Sequence, residues 1–532
     1  MIIMNYDTII VGGGIAGLTA GAYLARAGKE VLLLEKNSIC GGLVNTIEHN
    51  GFSFDAGLKA LEDAGIIKTM LHDLGIELPF YPNPVSIGIE DTIIALTERE
   101  SIETYKTLLI KYYPESVNEI NRLIPIVEKF SKYVDTLYAV ENPEFKDLKK
   151  DRDFILNKLL PWLPKFLYTL NSINKLMMPV ESYLQKFITN RSLLDMIAQH
   201  FFRDMPAFFA LGYFSLYLNY FYPAGGTGML AKVLEDTMRS HGGEIQYNTK
   251  ITRVYPGIKK IYDETNAEYG YNTLIWASDL KTFYAHLLDN NLDKQTLRAL
   301  RKKQQEILLS RGGDSVFELF LEVDEPPETF KAITTGHLLY APSRKGLGDV
   351  HKGELETILA QGNSITKEIV MDWLERFLAL NTYEISIPVL KDPKMAPSGK
   401  TGIVVNFFIA YDIFNVVQQA GWYDEFRERI ERGVIEVLSK SIFPMLKEKC
   451  KHYFSYTPLS IKNWAGTSEG AITGWSFSNA KPAVSNMLQV NKSVQTPFCD
   501  IFQAGQWTYS PSGVPMAILT GKIASRMILN HN

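Results

Sequence analysis

Hydrophobic and polar positions along the chain change period several times. Asp7-Thr8-Ile9-Ile10-Val11 is a short apolar run without alternation, the pattern of a strand buried on both faces. A helical pattern follows to Ala27, stopped by Gly28, and Val31-Leu32-Leu33-Leu34 predicts a second buried strand ending at Glu35. Further on, Glu244 to Ile251 predicts one strand, and Leu274-Ile275-Trp276-Ala277-Ser278 predicts another buried one. Two long stretches stand between and after these pieces. Helical periodicity dominates residues 80–220, whereas 285–485 mixes strand-like runs such as Ser315 to Leu321 with helical ones such as 424–450.

This order predicts an α/β protein in which one parallel-sheet unit is assembled from separated segments, 1–79, 222–284 and 486–532. The intervening segments, 80–221 and 285–485, form a second α+β unit, a mixed sheet covered by helices. A chain of 532 residues is too long for a single core, in keeping with such a division.

Composition narrows the function by exclusion. With 55 Lys+Arg against 59 Asp+Glu, a net charge of -4 gives no reason to expect a nucleic-acid partner. Cys40, Cys450 and Cys499 are far apart and form no C-x-x-C pair, which fits a reducing, cytoplasmic setting. The nine histidines lack zinc-type spacing, so no metal is expected. Met1 to Tyr6 carries no basic region of the kind that opens a leader. Met205 to Ala231 is uncharged, yet Pro206, Gly212, Asn219, Pro223 and Gly225-Gly226 interrupt it, so no membrane span is expected there.

The first strand runs into Gly12-Gly13-Gly14-Ile15-Ala16-Gly17, a G-x-G-x-x-G turn between strand and helix. Gly12 permits the tight turn, Gly14 lets backbone approach a pyrophosphate, and Gly17 lets helix pack on strand. The helix N-terminus offers free N–H groups and a positive dipole end to the phosphates. Glu35, 21 residues past Gly14, stands where a carboxylate accepts hydrogen bonds from a ribose diol. Strand, turn, helix, strand and acid in this order point to a dinucleotide.

Later segments turn dinucleotide into FAD. Glu35-Lys36, then Cys40-Gly41-Gly42, then Gly51-Phe52-Ser53-Phe54-Asp55-Ala56-Gly57 resemble the phytoene desaturase, carotenoid isomerase and retinol saturase flavoproteins, which share a fold with the amine oxidases. Independently, Phe498 to Thr508 with Ser512-Gly513-Val514-Pro515 and a helix through Met527 resembles that family's closing motif. There a helix dipole can stabilise negative charge near flavin N1 and O2, and Pro515 suits the first helical position.

By this resemblance the cofactor-binding residues are Gly12, Gly14, Ile15, Ala16, Gly17, Glu35, Lys36, Gly41, Gly42, Leu43, the backbone of Ile251, Gly505, Gln506, Gly513, Val514 and Pro515. Leu43 departs from the arginine of many relatives, so that arginine's polar contacts are in doubt here. Tyr222-Pro223-Ala224-Gly225-Gly226, Asp392 to Gly399 and Thr467 to Trp475 also resemble family segments.

The resemblance implies redox chemistry on carbon–carbon bonds of a long apolar isoprenoid or polyene: desaturation, saturation or isomerisation. No second G-x-G-x-x-G marks a site for NAD(P)H, so a separate electron donor or acceptor is expected. The aromatic run Pro206 to Tyr222 reads equally as a pocket wall or as core packing. Phe154 to Val180 holds Lys158, Lys165 and Lys175, no acid, and many apolar residues, a composition that suits either a membrane-interface helix or a solvated helix pair. Hydride transfer at flavin N5 needs no fixed triad; by placement, His200, Asp204 and Lys59 are the acid–base candidates, with Arg203 beside them. Two alternatives stay open. One is an amine or amino-acid oxidase, and the other is a non-catalytic prenyl-binding protein of the dissociation-inhibitor fold.

Overall fold

The computed structural model describes residues 4–477 and 481–530. Met1 to Ile3, part of the segment considered above for a leader, lie outside the described residues. Two seven-stranded sheets dominate. In the first, Met4–Val11 is central and pairs in parallel with Val31–Leu34 on one side and Glu268–Trp276 on the other. Glu244–Gln246 and Ile501–Gln503 extend it in parallel, and Ile251–Tyr255 and Lys260–Asp263 add antiparallel strands. Helices Ile15–Arg26, Met229–Ser240 and Val514–Asn530 cover one face, burying Leu18, Leu234 and Ile518 against Ile10 and Leu33. This covered parallel sheet explains the unbroken apolar runs.

The second sheet runs in the order Cys450–Tyr456, Val316–Val323, Thr401–Phe408, Tyr383–Ser386, His337–Ala341, Val85–Ile89, Thr92–Leu96. It is antiparallel except where His337–Ala341 lies parallel to Val85–Ile89. Helices Lys367–Leu380 and Tyr423–Ser439 bury Trp373, Phe377, Phe426 and Ile430 on one of its faces. The aromatic helix Ala207–Tyr217 packs with Val117–Tyr138 in a separate helical core. Hairpin Val44–His49/Phe52–Gly57 bridges the sheets, placing Phe52 and Phe54 against Phe320 and Val404.

Four sequence expectations need adjustment. Residues 80–220 begin with strands, not helices: Val85–Ile89 and Thr92–Leu96 form a hairpin around Glu90-Asp91, with Glu90 at φ 52°. Glu244 to Ile251 is two strands, because Asn248 at φ 52° turns the chain and Asn248 and Thr249 donate to the carbonyls of Asn37 and Glu35. The 424–450 helix ends at Ser439, ahead of Pro444, whose ring disfavours helix at the preceding residue. The closing helix starts at Val514, so Pro515 is its second residue, still within the turn where a missing N–H costs nothing. Among the described residues no helix is long and apolar enough to cross a membrane.

Candidate active site

The glycine turn is shaped by close approach. Gly12 takes φ 108°, a value that favours glycine, and a Cβ on Gly17 would stand 2.0 Å from the Gly12 carbonyl oxygen. Gly14, at the helix N-cap, has open space where its Cβ would be, and among the described residues no side chain caps the helix. The first-turn N–H groups therefore face an open cradle, the arrangement a pyrophosphate fills. Glu35 is buried beside it and accepts from the Gly13 N–H (2.7 Å) and the Asn37 N–H (2.9 Å). Burial pushes its carboxyl up, and the N–H groups of Asn37 and Gly13 oppose that. The closing segment completes the frame, with Gly505 N–H donating to Thr520 Oγ1 at 3.0 Å.

One continuous cavity, about 2220 Å³ of empty volume including its open mouth, begins at this cradle. Gly12, Gly14, Ile15, Ala16, Glu35, Gly41, Gly42, Leu43, Gly505, Gln506, Gly513, Val514 and Pro515 all line it. Three expected residues do not. Gly17 lies beneath the cradle as a packing residue, Lys36 turns to the Asn463 carbonyl at 2.6 Å, and Ile251 is buried at the start of its strand.

The other family-like segments hold one another in place. Asp55 is fully buried and accepts from Tyr222 Oη at 2.6 Å and from the Thr227 N–H at 2.8 Å. Asp392 accepts the Gly225 N–H at 2.9 Å, and Glu469 accepts the Gly312 N–H at 2.9 Å. Ser512 donates to the Thr473 carbonyl at 2.7 Å. These contacts build the frame around the cavity.

Beyond the cradle the cavity widens into a chamber walled by Tyr213, Tyr217, Tyr220, Leu339, Phe407 and Phe408. The aromatic run thus serves as both wall and core: Tyr213, Tyr217 and Tyr220 face the chamber, while Phe208, Phe209 and Phe214 pack in the helical core. Strand register places Glu318, Asn406 and Glu384 in one row across the chamber floor. Glu318 pairs with buried Lys59 at 2.8 Å and accepts the Gly57 N–H at 2.9 Å. Glu384 pairs with His337 Nε2 at 3.0 Å. Burial lowers the His337 pKa, so the neutral ring donates from Nε2 to the carboxylate.

Of the three acid–base candidates, Lys59 and His200 line the cavity and Asp204 does not. Asp204 sits at φ 58° in a turn beside Arg203. Lys59 is committed to Glu318 and the Asp55 carbonyl. Burial pushes His200 down to about 4, so near pH 7 it is a neutral imidazole and not a cationic acid. The sequence reading missed Glu62, His337 and Glu384. Glu62 lines the cavity, and its Oε1 lies 3.7 Å from where a Cβ on Gly513 would stand, at the closing helix. Burial alone pushes its carboxyl up to about 7. One available signal was the acid pair Glu62-Asp63 directly after Ala60-Leu61, and another was polar Glu384 within a buried strand.

Comparison with known proteins agrees with this geometry. The chain matches the family described as flavin containing amine oxidoreductase over residues 15–529. It belongs to that family. All-trans-retinol 13,14-reductase of Danio rerio is 22% identical, over 99% of this chain and 86% of that protein. Prolycopene isomerase 1 of an Oncidium hybrid cultivar is 24% identical, over 84% and 71%. A putrescine oxidase variant superposes with TM-score 0.62 at 12% identity over the whole of both chains. The protein is an FAD-dependent oxidoreductase, and the cradle described above fits its cofactor.

Proposed function

We propose that this flavoenzyme acts on carbon–carbon bonds of a long apolar isoprenoid or polyene. The observation that carries the reading is the continuity of the FAD cradle with the aromatic chamber. The retinoid and carotenoid relatives support it. Bound FAD supplies two-electron redox chemistry. Gly12, Gly14 to Ala16, Glu35, Gly41 to Leu43, Gly505, Gln506 and Gly513 to Pro515 would hold it.

The chain's own residues supply the rest. Tyr213, Tyr217, Tyr220 and Phe408 exclude water and align an extended apolar molecule. Glu62 keeps a proton at its carboxyl near neutral pH and can deliver it to a substrate carbon, the function expected of a carboxylic acid tuned by burial. His337 and Glu384 present a second hydrogen-bonded pair at the chamber floor.

Access from a lipid surface fits a row of exposed residues, Leu156, Leu160, Leu163, Leu167 and Tyr168, flanked by Lys158 and Lys165. Electrons come from a separate donor or go to a separate acceptor.

The test is anaerobic incubation of the oxidised and the reduced holoenzyme with retinol, prolycopene and shorter polyenes, followed by chromatography with absorbance detection. A changed conjugation length or isomer pattern supports the proposal. Peroxide formed from amines in air, with every polyene unchanged, overturns it in favour of amine oxidation.

A further inference from the structure

Glu322 presents an unusual charge balance. It sits on strand Val316–Val323, its side chain 7% exposed, on a part of the protein away from the cavity lining. Among the described residues it pairs with no lysine or arginine. Its partners are two imidazoles and an amide: His49 Nδ1 contacts Oε1, His452 Nδ1 lies 3.7 Å from the same oxygen, and Asn50 Nδ2 donates to both oxygens at 3.2 and 3.1 Å. Among the described residues no lysine or arginine offsets this buried carboxylate; a divalent cation held between it and the two imidazoles would.

The ligand set is defined by three separate strands. Glu322 and His452 are cross-strand partners in the substrate sheet, where the register shifts just past Glu322. His49 ends the first strand of the bridging hairpin, immediately before the Asn50-Gly51 turn. That turn has φ 50° and 82°, positive at both central positions as a two-residue hairpin turn requires, so His49 is delivered in a fixed place. The two imidazole rings stack with centroids 4.9 Å apart, and Phe454 walls His49 at 5.0 Å. All three ligand atoms lie within 4.8 Å of one another. Both histidines are partly exposed, which leaves a path for the ion and a fourth position for water.

We propose that His49, Glu322 and His452 bind one divalent transition metal of the zinc class. Two imidazoles and one carboxylate are ligands zinc accepts, and they disfavour magnesium and calcium, which take all-oxygen sets. Asn50 holds the carboxylate in orientation from the outer shell. Spacing along the sequence predicted no metal, because the ligands are each more than a hundred residues apart and meet only through the folding of three strands. The ion would fasten the hairpin that links the FAD cradle to the outer strand of the substrate sheet.

The experiment uses tag-free, chelator-treated, FAD-loaded protein, with zinc uptake followed by equilibrium dialysis and calorimetry, and magnesium as the control. One equivalent of zinc per chain is expected, with affinity weakened by about tenfold or more in each of His452→Ala and Glu322→Gln. His452 is half-exposed and Glu322→Gln keeps the side chain's shape, so both variants should retain FAD, read from the flavin spectrum. Cobalt loading of the wild type should give the visible absorption of a four-coordinate ion. Absence of saturable zinc uptake up to about 100 µM, or uptake unchanged in both variants, overturns the proposal.

Discussion

Replacing Glu62 by Gln should change how stability depends on pH. In the folded protein, burial raises this carboxyl from its ordinary 4.5 to about 7. Between those values the folded state binds a proton that the unfolded chain has released. Stability therefore falls as pH rises through this window, and the full cost is present above the folded value. A shift of about two and a half pK units corresponds to roughly 3 kcal/mol at about 1.4 kcal/mol per unit, an upper figure for a side chain that also faces the cavity. Glutamine keeps the shape and cannot ionise, so it removes that slope. Urea unfolding of FAD-loaded wild type and Glu62→Gln should give similar stabilities near pH 5. The variant should gain on the wild type by up to about 3 kcal/mol near pH 8.5. Turnover should fall in the variant at every pH, while wild-type turnover declines above about pH 7 as the proton donor is lost. Stability curves that run parallel across this range would refute the burial argument, whatever happens to activity.

Four further outcomes follow from the structure. Gly14→Val adds a side chain in open space at the cradle, so FAD affinity should fall at least about tenfold with circular dichroism unchanged. Gly17→Ala places its Cβ 2.0 Å from a carbonyl oxygen and should destabilise the protein itself. Lys59→Met leaves Glu318 buried and unpaired, at a cost of about 3–5 kcal/mol in denaturant unfolding, and adding Glu318→Gln should recover most of it. Serine at Leu156, Leu160, Leu163 and Leu167 together should reduce flotation with anionic liposomes while flavin content stays constant, and flotation equal to wild type would remove the lipid-surface role.

The cradle was legible in the sequence because its determinants are local. A turn, a helix start and an acid within about thirty residues define it, and each has a direct physical task. Lys36 and Ile251 show where that locality ends. Both belong to segments expected beside the cofactor, and tertiary packing turns Lys36 to Asn463 and buries Ile251 in its strand. The chamber floor was not legible for the converse reason. Glu318, Asn406 and Glu384 become neighbours only through the pairing of three strands drawn from distant parts of the chain, and no periodicity reports which register those strands adopt. The same holds for His49, Glu322 and His452.

The segment from Asp55 to Glu62 joins the two kinds of information. Asp55 is tied to Tyr222 and Thr227, which return the chain to the cofactor unit, and four residues later Lys59 is tied to Glu318 on the substrate sheet. Lys391 closes the same knot by donating to the Lys59 carbonyl at 2.8 Å. Glu62, three residues further, makes no ion pair among the described residues and projects to the closing helix at Gly513. Eight consecutive residues therefore fix the cofactor frame, the chamber floor and the candidate proton donor relative to one another. The motif-like run Gly51 to Gly57 identifies the frame and does not include the candidate donor.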